Sequence, residues 1–289
     1  MIKQVAKCIV SKLLVKDLDM TDSPAIPANA FSTEGNWTPE QAKLAFHFYC
    51  QTPFGKLHSK NKQVIELAKL IGRSPGAVAM KCVNFASLDP AIIASGRAGL
   101  SNASNLDREI WAEFHEDWED LASECERLRV YLLHKRGLDD PEQVVAEAVE
   151  PDFTGETRTA VVQLRIKQQF FRRAVLSSYR GRCCISGLTE TRLLVASHIV
   201  PWRVDKKNRL NPSNGLCLSA IHDKAFDSGL ITISDNLRVV LSKELRGRRE
   251  DFVKRVFLPL DDQPIELPER FAPYPEFLSA HRTSVFLGA

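Results

Sequence analysis

The stretch Val195-Ala-Ser197-His198-Ile-Val-Pro201-Trp202 and, after a short polar loop, Pro212-Ser-Asn214-Gly215-Leu-Cys217-Leu-Ser219-Ala-Ile-His222-Asp223-Lys-Ala-Phe226-Asp227 decide the fold of the C-terminal half. Leu193-Leu-Val-Ala is a short apolar run that reads as a strand with His198 at its end, and Pro201-Trp202 breaks it. Asp205 to Gly215 is rich in Asn, Pro and Gly and reads as a turn-rich loop. Leu216-Cys217-Leu218 supplies a second strand, and Ser219 suits the cap of a helix that carries His222 in its first turn. Two strands and a helix therefore gather His198, Asn214 and His222 on one small scaffold.

Cleavage of a phosphodiester near neutral pH asks for a group that can take a proton from water, which an imidazole supplies because its pKa lies near the working pH. It also asks for a cation that neutralises charge developing on the phosphate and the leaving oxygen. The order His, Asn, His satisfies the first demand and part of the second. These residues resemble the HNH endonuclease family, in its branch reading Ser-His-Ile-x-Pro-Trp, Pro-x-Asn-Gly-Leu-x-Leu and His-Asp-x-Ala-Phe-Asp-x-Gly, over about residues 170 to 245. The resemblance implies a ββα-metal fold with His198 as general base, Asn214 as the residue that orders the loop and steers the base, and His222 as a metal ligand. Many members place an aspartate just before the base, where this chain has Ser197, a weak ligand; Asp223 and Asp227 are further ligand candidates. Mg²⁺ or Mn²⁺ is the cofactor implied. Many relatives also carry paired Cys-x-x-Cys knuckles, but Cys183-Cys184-Ile-Ser186 puts serine where a second thiolate would fall, so no structural zinc is expected.

Each of these residues also has an ordinary structural reading. A histidine at a strand end is commonly just hydrogen-bonded, Asn214-Gly215 alone would mark a turn, Phe226 belongs in a core, and Asp227 can bond locally. It is their combination at this spacing that favours the catalytic reading.

Charge is unevenly divided. Residues 1–150 hold 17 Lys and Arg against 21 Asp and Glu, a balance of −4, whereas residues 151–289 hold 22 against 15, a balance of +7. Between Arg165 and Arg182 there are six cations and no carboxylate, and Arg172, Arg173, Arg180 and Arg182 are candidate phosphate contacts leading into the ββα unit. Arg246-Gly-Arg-Arg249 with Lys254 and Arg255 reads more simply as a solvated helix end.

The N-terminal half reads as helical. After a leader rich in Pro, Ala, Ser and Asn, Thr38-Pro39-Glu40-Gln41 is a helix start with a capping box. A helix from about Lys62 stops at Gly72, and Ser74-Pro75 starts the next, which gives helix, Gly-Arg-Ser turn, helix. That spacing matches a helix-turn-helix, which would make Arg73, Ser74, Lys81 and Asn84 the DNA-reading residues; an ordinary αα-hairpin shares the pattern. Residues 95–105 read as a long loop, Asp107 to about Lys135 as one long amphipathic helix, and 137–159 as an acidic linker. Past the site, two short strands around Asp235-Asn236 suggest a hairpin, and the proline-rich tail from Leu258 an extended wrap ending in a short helix.

The expected architecture is α+β: a leader (1–36), an all-α, helix-turn-helix-like recognition domain (37–136), a linker (137–160) and a ββα-metal nuclease domain (161–289). No apolar run approaches the roughly 18 residues that span a bilayer, the first residues lack an export signal, and seven scattered cysteines suit reduced thiols. A cytoplasmic protein without membrane contact follows. The function expected is metal-dependent cleavage of double-stranded DNA, in a restriction or phage-defence setting, with a homodimer or two binding events needed to cut both strands. Two alternatives stay open: a DNA-binding regulator with a decayed site, for which Ser197 speaks, and an HNH nuclease acting on RNA or structured DNA in repair or mobile-element machinery.

Overall fold

A computed structural model describes residues 25–97, 102–138 and 155–288. Most of the leader, part of the 95–105 loop and most of the linker lie outside the described residues. The fold is α+β, with a helical N-terminal half and a C-terminal half that holds two small antiparallel hairpins among helices.

The N-terminal helices start and stop where their capping residues dictate. Thr38 caps α1 (Pro39–Gln51) through the expected capping box: its hydroxyl accepts from the Gln41 amide at 3.2 Å, and Gln41 Oε1 accepts from the Thr38 amide at 3.2 Å. Asn61 caps α2 (Lys62–Ile71), Gly72 ends it at φ 76°, and Ser74 caps α3 (Pro75–Ala86). A short α4 (Pro90–Ala94) follows.

Two expectations fail here for identifiable reasons. The single helix over 107–135 is instead two, α5 (Asn105–Glu116) and α6 (Trp118–Lys135). Asp117 between them is extended, and its carboxylate accepts from the amides of Glu119 (2.9 Å) and Asp120 (3.0 Å). A side-chain acceptor here competes with the helical ladder and starts a new helix. The leader, whose Pro-, Ala-, Ser- and Asn-rich composition reads as poorly structured, is in its described part ordered against the helices: the Thr38 hydroxyl donates to the Ala30 carbonyl, and Gln41 Nε2 to that of Ser32 at 2.9 Å.

The spine of the molecule is α7 (Gly155–Ser178), which begins inside the stretch read as linker and packs on α1 and α6 as well as on the first hairpin. In that hairpin β1 (Leu194–His198) pairs antiparallel with β2 (Gly215–Ser219), with His198 opposite Gly215. Gly215 is extended, so turn geometry does not explain it. A Cβ there would lie 2.3 Å from Val175 Cγ2 and 3.0 Å from Phe171 Cζ, so it is the close approach of α7 that requires glycine. Ser219 then caps α8 (Ala220–Asp227), as expected.

The second hairpin, β3 (Ile231–Ile233) and β4 (Val239–Leu241), leads to α9 (Lys243–Gly247), α10 (Asp251–Val256) and α11 (Pro275–Ser284), and α11 packs on β3. The two halves share one hydrophobic core. Trp118 of α6 meets Phe170 of α7 at 6.3 Å and Phe271 of the tail at 5.8 Å between ring centroids. Arg270 is fully buried and donates to the carbonyl of Tyr49 and to Ser177 Oγ, the latter at 2.6 Å. Partners of this kind make burial of a guanidinium tolerable.

Candidate active site on the first hairpin

At the end of β1 the His198 ring lies on Phe171, with centroids 3.9 Å apart and planes 9° apart, and Trp202 meets it edge-on at 5.4 Å. Its Nε2 is 2.9 Å from the Arg209 carbonyl oxygen. A carbonyl only accepts, so Nε2 carries the proton and Nδ1 keeps a lone pair. Burial pulls the pKa of His198 below the usual value, and the Arg209 carbonyl and the negative charge of Asp223 offset only part of that. A neutral imidazole with one nitrogen tied to the backbone is suited to accept a proton from water.

The carbonyl that holds His198 belongs to a loop that Asn214 organises. Fully buried, Asn214 accepts from the Val200 amide through Oδ1 at 2.8 Å and donates through Nδ2 to the carbonyls of Val200 (3.2 Å) and Asn208 (3.3 Å). Its backbone carbonyl takes the Ile199 amide at 2.9 Å. Both ends of the loop between His198 and Arg209 are thus pinned by one side chain, which neither Asp nor Ala reproduces, because donor and acceptor are both required.

His222 lies in the first turn of α8 and is buried, with Nδ1 3.5 Å from Cys183 Sγ. That sulfur also accepts from the amides of Ser186 (3.4 Å) and Ser219 (3.2 Å). Burial raises the thiol, but the hydrogen bonds from His222 and Ser186 more than offset this and bring it down to about 6. With sulfur as acceptor, Nδ1 is the donor and Nε2 is left with a lone pair.

Of the other ligand candidates, Ser197 is buried and its hydroxyl has no hydrogen-bond partner. Asp223 is half-buried and close enough to His198 for its charge to act on the ring. Asp227 is exposed at its outer side, and its carboxyl is raised by burial of the rest and by repulsion from Asp223. Among the described residues no three His, Cys, Asp or Glu side chains converge on one point as a closed metal cage.

The structure gives most of the basic and polar candidates partners within the protein. In the helix pair, Arg73 donates to Gln41 Oε1 and to the Gly35 carbonyl, both at 3.0 Å. Ser74 caps α3, and Lys81 is buried in an ion pair with Asp107 at 2.6 Å. Asn84 donates to the same carboxylate at 3.4 Å. Three of the four are committed to partners inside the domain and Ser74 to its own helix. In the C-terminal half, Arg172 braces β1 through the carbonyls of Leu194 (2.7 Å) and Thr191 (3.1 Å), and Arg180 and Arg182 flank Glu266. Arg173 is exposed on α7.

Sequence reasoning passed over four kinds of residue. Arg203, Lys206 and Lys207 are exposed on the loop between β1 and β2, and their clustering between the two histidines was a readable signal. Cys183 holds His222, which no spacing rule predicts. Arg209 lays its guanidinium over the Trp202 ring at 5.1 Å. Glu119, on α6, pairs with Arg209 and with Lys167, the latter at 2.7 Å.

Residues 183–234 match the family model of HNH endonucleases, a segment that opens on Cys183 and contains His198, Asn214 and His222. The C-terminal half therefore carries an HNH domain. Such a domain suggests a nuclease, implies a nucleic-acid substrate and generally uses a divalent metal ion. No curated protein matches the chain. No helix among the described residues is long and apolar enough to cross a membrane.

Proposed function

We propose that the HNH domain makes this chain a metal-dependent endonuclease that hydrolyses phosphodiester bonds in double-stranded DNA. The observation that carries the reading is the arrangement of His198: Nε2 is tied to the Arg209 carbonyl, the loop is pinned by Asn214, and a neutral Nδ1 remains to act. His198 takes a proton from water through Nδ1, and the hydroxide attacks phosphorus in line. The Arg209 carbonyl and the charge of Asp223 both favour the imidazolium that forms.

The donors fit a hard cation that draws most of its ligands from water and phosphate, as Mg²⁺ does, and Mn²⁺ as its usual substitute. Ser197 Oγ is buried without a partner, and Nε2 of His222 keeps its lone pair. These two would hold the ion, with Asp223 and Asp227 as further ligands. When bound, the ion supplies neutralisation of charge on the phosphate and the departing 3′ oxygen. The products carry 5′-phosphate and 3′-hydroxyl ends.

Arg203, Lys206 and Lys207, with Arg173 on α7, face the substrate phosphates. The N-terminal half (37–136) selects the target, in a restriction or phage-defence setting in the cytoplasm, and a homodimer cuts both strands. The internal commitment of Arg73, Lys81 and Asn84 favours a second reading, in which the helix pair does not read a major groove and the substrate is RNA or structured DNA. Ser197 in a ligand position is the feature that favours a third, a DNA-binding regulator without cleavage.

The test is cleavage of plasmid DNA, phage DNA with modified bases and single-stranded RNA, with Mg²⁺ or Mn²⁺, by the wild type and His198→Ala. Cutting that needs the ion and disappears in His198→Ala supports the proposal, and substrate preference separates DNA from RNA. Tight duplex binding without cutting by the wild type would replace it with the regulator.

A further inference from the structure

We infer that Glu119, on a helix of the N-terminal half, is a positioning residue for the general base, acting on His198 through Arg209. The inference rests on the nuclease reading of the site. His198 is oriented by a backbone carbonyl, so the orientation is only as good as the placement of Arg209. Asn214 fixes the carbonyl of the preceding residue, Asn208, and Asp205 accepts from the Asn208 amide at 3.1 Å and from its side chain at 2.7 Å. Residue 209 itself is held by its side chain. Its guanidinium lies over Trp202, and Nε and one terminal nitrogen both reach the same Glu119 oxygen.

Trp202 in turn touches His198 edge-on, so Arg209 supports the base by two routes, its own carbonyl and the indole it covers. Glu119 is itself held. It stands in the first turn of α6, its amide bonded to Asp117, and its other oxygen accepts from Lys167 of α7 at 2.7 Å. Both cations and the carboxylate are mostly buried, with side-chain exposures of 18% for Lys167, 19% for Glu119 and 23% for Arg209, so solvent screens this cluster less than a surface pair. The helix break at Asp117 divides α5 from α6 just before Glu119.

Without Glu119 the Arg209 side chain has no carboxylate to hold it beside the site, and it is free to swing toward substrate phosphate. The base then loses its fixed tautomer. Displacement of a catalytic group by a fraction of an ångström costs turnover much more than binding.

The experiment compares wild type, Glu119→Gln, Arg209→Gln and the double variant in plasmid cleavage as a function of substrate concentration and pH. Thermal melts and nitrogen NMR of the histidine rings are recorded on each full-length protein. Glu119→Gln should lower kcat by about 10- to 100-fold with KM unchanged or lower. The double variant should be hardly worse than either single one, because both break one link. His198 should pass from a pure Nε2–H form to a mixture, and the acid limb of the kcat profile should move with it. Arg209→Gln keeps the backbone carbonyl and serves if Glu119→Gln melts early. Wild-type kcat in both single variants, or a reduced kcat with the His198 tautomer unchanged, overturns the inference. A wild type inert toward every nucleic acid overturns the nuclease reading, and this positioning role with it.

Discussion

In the helix pair 62–86, Arg73 and Lys81 are drawn into the domain: one bonds Gln41 and the Gly35 carbonyl, and the other pairs with buried Asp107 under the Trp37 ring. In the loop that follows His198, Arg203, Lys206 and Lys207 stand exposed. Arg73 and Lys81 are spent inside the protein, whereas these three loop cations are left to solvent. Whether a cation serves stability or a ligand is decided by what packs around it, and motif spacing does not contain that information.

Four measurements bear on the contrast. The largest effect is expected on the loop side: His198→Ala should lower the cleavage rate by about 100- to 10,000-fold in protein that still unfolds cooperatively, read from initial rates and urea titration. On the helix side the pattern inverts. Lys81→Ala strands Asp107 in the core and should destabilise by about 3–5 kcal/mol, as removal of one partner from a buried pair does. A Lys81→Ala protein of wild-type stability with impaired DNA binding would return Lys81 to the reading surface.

The third concerns pH. Burial holds His47, with the charges of Arg129 and Arg173, down to about 3, and His281 down to about 4. Both are neutral when folded and gain a proton on unfolding below about pH 6.5. Their contribution is therefore complete above that pH and declines progressively as pH falls toward 4 and 3. Each should remove about 2 kcal/mol between pH 7.5 and 5, measured as unfolding free energy, and His47→Phe should flatten part of that slope. The site imidazole follows the same sign in rate: with its pKa lowered, cleavage should persist below the pH at which an ordinary histidine is half protonated.

The smallest effect per residue is expected for the loop cations. Arg203→Ala, Lys206→Ala and Lys207→Ala combined should leave stability within about 0.5 kcal/mol per site. They should weaken duplex binding and reduce the slope of log affinity against log salt by roughly 0.9 for each phosphate no longer neutralised. An unchanged salt slope would move the substrate path to another face.

Local chemistry was largely legible in the chain. Thr38 with Gln41, Gly72, Ser74 and Ser219 act within a few residues of themselves, and each ends or begins a helix where its type requires. The strand ending at His198, the Asn214 loop and the helix bearing His222 form one short segment, so their spacing carried the ββα unit and its match to a known family. Asp117 was just as local, but the apolar stripe running across it concealed the break.

Packing in three dimensions supplied the partners that arrive from far along the chain. Glu119 meets Arg209 across 90 residues, Cys183 meets His222 across 39, and Arg270 reaches the Tyr49 carbonyl across 221. Hydrophobic periodicity says which face of a helix is buried, and it says nothing of which distant charge that face will meet. The order of residues was enough to define the candidate site segment, because its hydrogen bonds close within a few turns of chain. Folding settled which cations are spent inside the protein and which side chains hold the two histidines, because burial and pairing are properties of neighbours brought together only by packing.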